Sequence, residues 1–153
     1  LLVGETSSNK EVYFSIDDSR RYDNHLTTIG IDFTSKIVLS ELKIKVKVSF
    51  WVGTGHERFR TMTKTYFKGA DGCILNFYMG DKYSFEVIKY NIKTLFEHKI
   101  PFVLLAKKDG HEIDDKTIQS IIMNYEGKIF YYDENNKEGI DEAIGYLAEK
   151  NIK

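Results

Sequence analysis

One cysteine in 153 residues is too few for a disulfide framework or a cysteine metal cluster. That residue, Cys73, lies inside an apolar run, so burial is its expected fate, and the scarcity is compatible with a reducing compartment. Charge of one sign is equally scarce. Lys and Arg number 22 and Asp and Glu 23, giving a formal net charge of -1. No overall field therefore draws the chain toward nucleic acid or an anionic membrane, although a local patch stays open. No apolar stretch approaches the roughly 18 residues of a membrane-spanning helix, and the start Leu1-Leu2-Val3-Gly4 does not read as a signal peptide. Internal repeats and low-complexity segments are also missing. These absences leave a soluble, cytoplasmic globular protein as the expectation.

What is there is a chain 42% hydrophobic, long enough to bury a core as one domain. The reading is a single domain over residues 1–153, with further residues expected beyond both ends. Leu1 to Val3 is an apolar strand stub followed by Gly4, and Val12, Tyr13, Phe14 and Ile16 suit the start of a short buried helix. Asp17 to Asn24 is polar and aperiodic, a loop. Ile31, Phe33, Ile37 and Leu39 lead to Ser40-Glu41-Leu42-Lys43. Beyond it Ile44, Val46, Val48 and Phe50 alternate with Lys45, Lys47 and Ser49. The two segments predict a hairpin at the side of a sheet, one face on the core and one in water, with lysines discouraging edge pairing. Gly53 to Lys64 loses the alternation and predicts a loop passing into an irregular helix.

Two short continuous apolar runs, Cys73 to Tyr78 and Phe102 to Ala106, suit buried parallel strands. Between them Phe85, Ile88, Ile92, Leu95 and Phe96 recur at helical spacing over Tyr83 to Glu97, and Pro101 marks where the next strand starts. A helix over Asp114 to Asn124, a strand over Lys128 to Tyr132 and a helix over Gly139 to Ile152 complete the series. The pattern predicts a doubly wound α/β domain: a mostly parallel sheet with one antiparallel hairpin and helices on both faces.

Three stretches carry chemistry. Gly4-Glu5-Thr6-Ser7-Ser8-Asn9-Lys10-Glu11 approximates the phosphate loop GxxxxGK[ST], in which backbone N–H groups and a lysine hold phosphates and a hydroxyl holds Mg²⁺. Gly4 and Lys10 match, Asn9 takes the second glycine and Glu11 the hydroxyl. Asn tolerates positive φ, so the turn can persist. A carboxylate at about 4 Å from phosphate, at an effective dielectric of about 20, is repelled by roughly 4 kcal/mol per unit charge. Alternatively Glu11 opens a helix and finds ordinary partners, or itself coordinates a cation. Ala106-Lys107-Lys108-Asp109, ending an apolar run, approximates the base-reading motif NKxD without its Asn.

The central stretch Phe50-Trp51-Val52-Gly53-Thr54-Gly55-His56-Glu57-Arg58-Phe59-Arg60 lies between Thr28-Ile29-Gly30-Ile31-Asp32-Phe33 and Tyr66-Phe67-Lys68-Gly69-Ala70-Asp71-Gly72. It resembles the middle of a Rab-type small GTPase of the Ras superfamily, whose pattern is WDTAGQERFR between IGVDF and YYRGAxG. Val52 replaces the Asp of that pattern and His56 its Gln. The resemblance implies a G domain, with Asp17 to Asn24 and Gly53 to Lys64 as its switch segments. It also implies a nucleotide site whose remnants are Gly4, Lys10, Thr28, Gly55, Lys107, Asp109 and Lys137, the last being all that matches the SAK motif. A partner-facing aromatic cluster of Phe33, Trp51 and Tyr66 is implied as well, although the same rings also suit packing of the hairpin onto the domain.

Losing the metal hydroxyl, the metal-water carboxylate and the Asn amide at about 2 kcal/mol each, with about 2–4 more for Glu11, removes roughly 8–10 kcal/mol. That is about six or seven orders of magnitude in affinity, or about half as many if neighbouring losses overlap. The expectation is a Rab-like pseudo-GTPase with no catalytic residues, no metal and no resident cofactor. It would serve vesicle trafficking as an interaction or regulatory module. Its partner would be a protein or a sister G domain bound through the switch and hairpin surface. The alternative is a divergent switch binding GTP or GDP with Mg²⁺ and turning over slowly or not at all. Nucleic acid is not expected as a partner. A membrane is expected only through a tail, since the resemblance implies prenylated C-terminal cysteines that this span does not contain.

Overall fold

The computed structural model describes residues 1–4, 11, 12, 16, 31–40, 42–53, 65 and 67–151, with residues 31–33 and 53 described through their backbone alone. Its strands are β1 (Leu2–Val3), β2 (Ile31–Leu39), β3 (Lys45–Gly53), β4 (Cys73–Tyr78), β5 (Phe102–Lys107) and β6 (Ile129–Tyr132). The helices are α1 (Lys82–Glu97), α2 (Asp115–Tyr125) and α3 (Glu138–Lys150), with a 3-10 turn over Phe67–Gly69. Glu11, Val12 and Ile16 are also helical. The strands form one sheet in the order β2-β3-β1-β4-β5-β6. Only β2 and β3 run antiparallel; β1 lies parallel to both β3 and β4, and β4, β5 and β6 continue in parallel. The expected doubly wound sheet with one antiparallel hairpin is therefore the architecture.

The continuous apolar runs are explained by burial on both faces. Along β5, Val103 and Leu105 pack into the layer beneath α3, with Ile140, Ala143, Ile144 and Leu147. Phe102, Leu104 and Ala106 point the other way, into the layer with Phe85, Ile88 and Leu95 of α1 and Ile118 of α2. A strand so placed has no solvent face, and the period-2 signal vanishes. Val12 and Ile16 join the α3 layer beside Leu2 and Val52.

The helix starts are set by side-chain caps. Asp81 accepts a 2.9 Å hydrogen bond from the Tyr83 N–H at the head of α1, and Asp114 a 2.7 Å bond from the Thr117 N–H at the head of α2. These bonds satisfy donors that the helix leaves open. They hold the Asp114 carboxyl below its ordinary value, the Thr117 backbone contact being the largest cause. Glu126 closes α2 in the left-handed region at φ 54.

The hairpin has the predicted register on β3, where Phe50 is buried and Lys45 and Lys47 face water. On β2 the inner positions are Thr34 and Val38, followed by buried Ser40 just past its end, while Ile37 and Leu39 project outward. The apolar residues of this strand thus do not all meet the core. Ser40 closes the turn, with its Oγ accepting from the Ile44 N–H at 3.2 Å.

Candidate functional site

In a doubly wound sheet, ligands bind outside the carboxyl ends of the strands, where the strand order reverses. Here the order reverses at β1, and its end brings Gly4 beside β4. A Cβ on Gly4 would lie 2.6 Å from the Asn76 carbonyl oxygen. Close packing of β1 on β4 is therefore enough to require glycine at this position, whatever the phosphate loop does.

The centre of this edge is an ion pair that joins two motifs. Lys107, at the end of β5, places its Nζ 2.9 Å from Glu11 Oε1 and 3.1 Å from Oε2. Tyr78, at the end of β4, donates its hydroxyl to Glu11 Oε2 at 2.7 Å. The side chains of Lys107 and Glu11 are only 12% and 20% exposed. Glu134, on the far side, comes within 3.4 Å of the same ammonium, which also lies 5.2 Å from the centre of the Tyr78 ring. Burial pulls the Lys107 ammonium down, but the Glu11 and Glu134 carboxylates outweigh it and hold it above its ordinary value. Beneath them the Tyr132 phenol is buried, with no hydrogen-bond partner among the described residues. Burial first, and then Glu11, Tyr78 and Asp109, push its pKa up.

Asp109 follows in an exposed turn and accepts a 2.7 Å hydrogen bond from the Gly80 N–H through Oδ1. After β6, Asp133 Oδ1 accepts from the N–H groups of Asn135 and Asn136 at 2.8 and 2.7 Å. That turn leads to Lys137, which precedes α3 without a side-chain capping bond. The structure thus brings Gly4, Lys107, Asp109 and Lys137 to the same edge of the sheet, at the ends of β1, β5 and β6. Lys10, Thr28, Gly55, Tyr66 and the side chain of Phe33 lie outside the described residues, as do the first switch segment and residues 54–64 of the second, whose Gly53 ends β3 instead of opening a loop. Of the aromatic cluster, Trp51 is 42% exposed on the outward face of β3, opposite the Phe33 backbone in register.

Two positions of the family pattern have become core. Val52 is fully buried in the α3 layer and Ala106 fully buried in the opposite one. Glu11 is turned to Lys107 and Tyr78, and Val52 is apolar. Among the described residues no group of three His, Cys, Asp or Glu side chains is disposed to hold a metal. Tyr78, Tyr132 and Glu134 were not singled out from the sequence. The available signal was that Tyr78 and Tyr132 end apolar runs at the carboxyl edge, where a doubly wound sheet places its ligands. A separate cavity of about 460 Å³ opens beside the start of β4, lined by Val46, Val48, Phe50, Trp51, Gly72 and Leu147 among others, with neither Glu11 nor Lys107 in its wall.

Comparison with known proteins agrees with this architecture. The family model described as "Ras family" matches residues 1–150. The chain is 33% identical over 139 aligned positions to the Ras-related protein Rab-7b of Bos taurus, covering 84% of this chain and 68% of that protein. It is 33% identical over 156 positions to the Ras-related protein Rab-13 of Canis lupus familiaris, covering 97% and 76%. To the GTP-binding protein YPTM1 of Zea mays it is 38% identical over 156 positions, covering 97% and 74%. With the six-stranded sheet, the antiparallel hairpin and the match across nearly its whole length, the chain belongs to the Ras family of small GTPases and is Rab-like within it.

Proposed function

We propose that this Rab-like G domain works in vesicle trafficking as an interaction or regulatory module, without tight guanine-nucleotide binding and without GTP hydrolysis. The observation that carries the reading is the Glu11–Lys107 pair: the residue at the metal-hydroxyl position holds the lysine of the base-reading motif. A nucleotide that used Lys107 would have to break this contact, whose charges are mostly withdrawn from water, before gaining anything. Val52 and Ala106, buried on opposite faces of the sheet, offer neither a carboxylate nor an amide in return. What the domain keeps for partners is the end of the outward hairpin face remote from the turn, where Trp51, a residue type enriched among binding hot spots, stands opposite Phe33 in register. The partner is a protein or a sister G domain.

A second reading rests on Asp109, which remains exposed at the end of β5 with one oxygen on the Gly80 N–H. It keeps a donor-reading carboxylate for a guanine ring, and this favours a divergent GTP- or GDP-binding switch with Mg²⁺ and slow or no turnover.

The two separate in one measurement. Protein purified without added nucleotide is denatured and the supernatant resolved by anion exchange; the module releases no stoichiometric GDP or GTP, whereas one equivalent per chain sinks the proposal. In the same preparation, folded Trp51→Ala weakens partner association by roughly 2 kcal/mol or more. Lys107→Ala, if folded, leaves that association nearly unchanged.

A further inference from the structure

The outer face of the hairpin carries a feature that the nucleotide motifs leave unexplained. On β2, Ile37 and Leu39 are 66% and 62% exposed, and the turn adds Leu42 at 67% and Ile44 at 43%. The register sets Ile37 opposite Lys47 and Leu39 opposite Lys45, so aliphatic and ammonium side chains share one outward face. Lys43, held in the turn at φ 58, adds an exposed cation. Lys36 is directed elsewhere, to Asp141 of α3 at 2.8 Å, which fastens the base of the hairpin to the domain. Between positions 36 and 47 the sequence holds four lysines against one acid, Glu41, in a protein whose formal net charge is -1.

We infer that this hairpin tip is a peripheral contact for an anionic lipid surface, with Leu39 and Leu42 entering the interface and Lys43, Lys45 and Lys47 meeting the headgroups. Four exposed aliphatic side chains at one end of a sheet form a patch that folding does not require. Its composition decides what covers it. Protein interfaces are enriched in aromatic residues and Arg and depleted in Lys, whereas surface-seeking membrane segments combine aliphatic tips with flanking lysines. The contact lies on the domain itself and is independent of any lipidated tail or bound nucleotide.

The test is sedimentation of the chain with vesicles of phosphatidylcholine alone or of phosphatidylcholine with phosphatidylserine. Binding is expected to the anionic vesicles and to weaken at about 1 M salt, where the screening length falls to about 3 Å. Lys43→Ser/Lys45→Ser/Lys47→Ser lowers partitioning by on the order of a hundredfold, at about fivefold per lysine. Leu39→Ser/Leu42→Ser lowers it roughly tenfold or more while removing only solvent-facing side chains, so its fold, checked by circular dichroism, is retained. Equal binding to neutral and anionic vesicles, or no binding to either, overturns the proposal. So does binding to polyglutamate as tight as to the anionic vesicles that the serine-for-leucine variant leaves untouched, since bare charge would then explain the patch.

Discussion

Lys107 and Glu11 stand 96 positions apart in sequence and meet at 2.9 Å with both side chains largely withdrawn from solvent. Removing either partner leaves the other charge underhydrated, so Lys107→Met alone is expected to destabilise the fold by roughly 1–3 kcal/mol. Glu11→Gln with Lys107→Met should recover much of that loss, and urea melts of the three variants give the coupling. Glu11 was legible in the sequence as a misfit in the phosphate loop. Its helical setting and ordinary partners were one of the readings open there, but which partners they were was not legible, because tertiary structure alone brings the ends of β4 and β5 to it. Cys73 was read as buried from its apolar neighbours, and it is fully buried. Burial pushes its thiol from the usual 9.0 to about 12. A folded-state pKa above the unfolded one means that the folded chain keeps a proton the unfolded chain has lost. The thiol's contribution is whole below about pH 9 and declines by up to about 1.4 kcal/mol per pH unit until about 12. Urea stability measured from pH 8 upward should fall more steeply in the wild type than in Cys73→Ala.

Among the elements, the first turn of α3 is the tightest junction. Gly139 sits directly against the β6 backbone, where a Cβ would run into the Tyr131 carbonyl oxygen. Gly139→Ala therefore has to push α3 away from the sheet, at an expected cost of about 1–3 kcal/mol in urea unfolding. Gly145, on the same helix with open space around it, serves as the control: Gly145→Ala should be neutral or stabilising. Helix limits were readable to within a residue or two from apolar spacing, whereas the aspartate caps at Asp81 and Asp114 that fix two of the starts are seen only in the structure. The strand orientation of β2 was not readable. Ile37 and Leu39 have the residue types of a core face, yet the strand turns Val38 toward the α3 layer and leaves them on its opposite, exposed face.

For the molecule as a whole, the sheet was legible because two runs, apolar but for Asn76, suited strands covered on both sides, and because the family resemblance spans the chain. The candidate site was legible as a set of positions and not as a set of contacts, since spacing locates Gly4, Lys107 and Asp109 without saying what each touches. The burial of Val52 among Leu2, Val12 and Ile74 is a case in point. Restoring the family's carboxylate there would place a charge in hydrocarbon, so Val52→Asp should cost on the order of 3–5 kcal/mol, a fall visible in its thermal midpoint. Ala106 is enclosed in the opposite layer by the packing of β5, and an Asn there would have to displace its neighbours. The two buried positions therefore act as a ratchet on descent. On the proposed reading, each single step toward the family pattern is expected to pass through a less stable protein, a cost on which selection acts before a second or third change can make it useful.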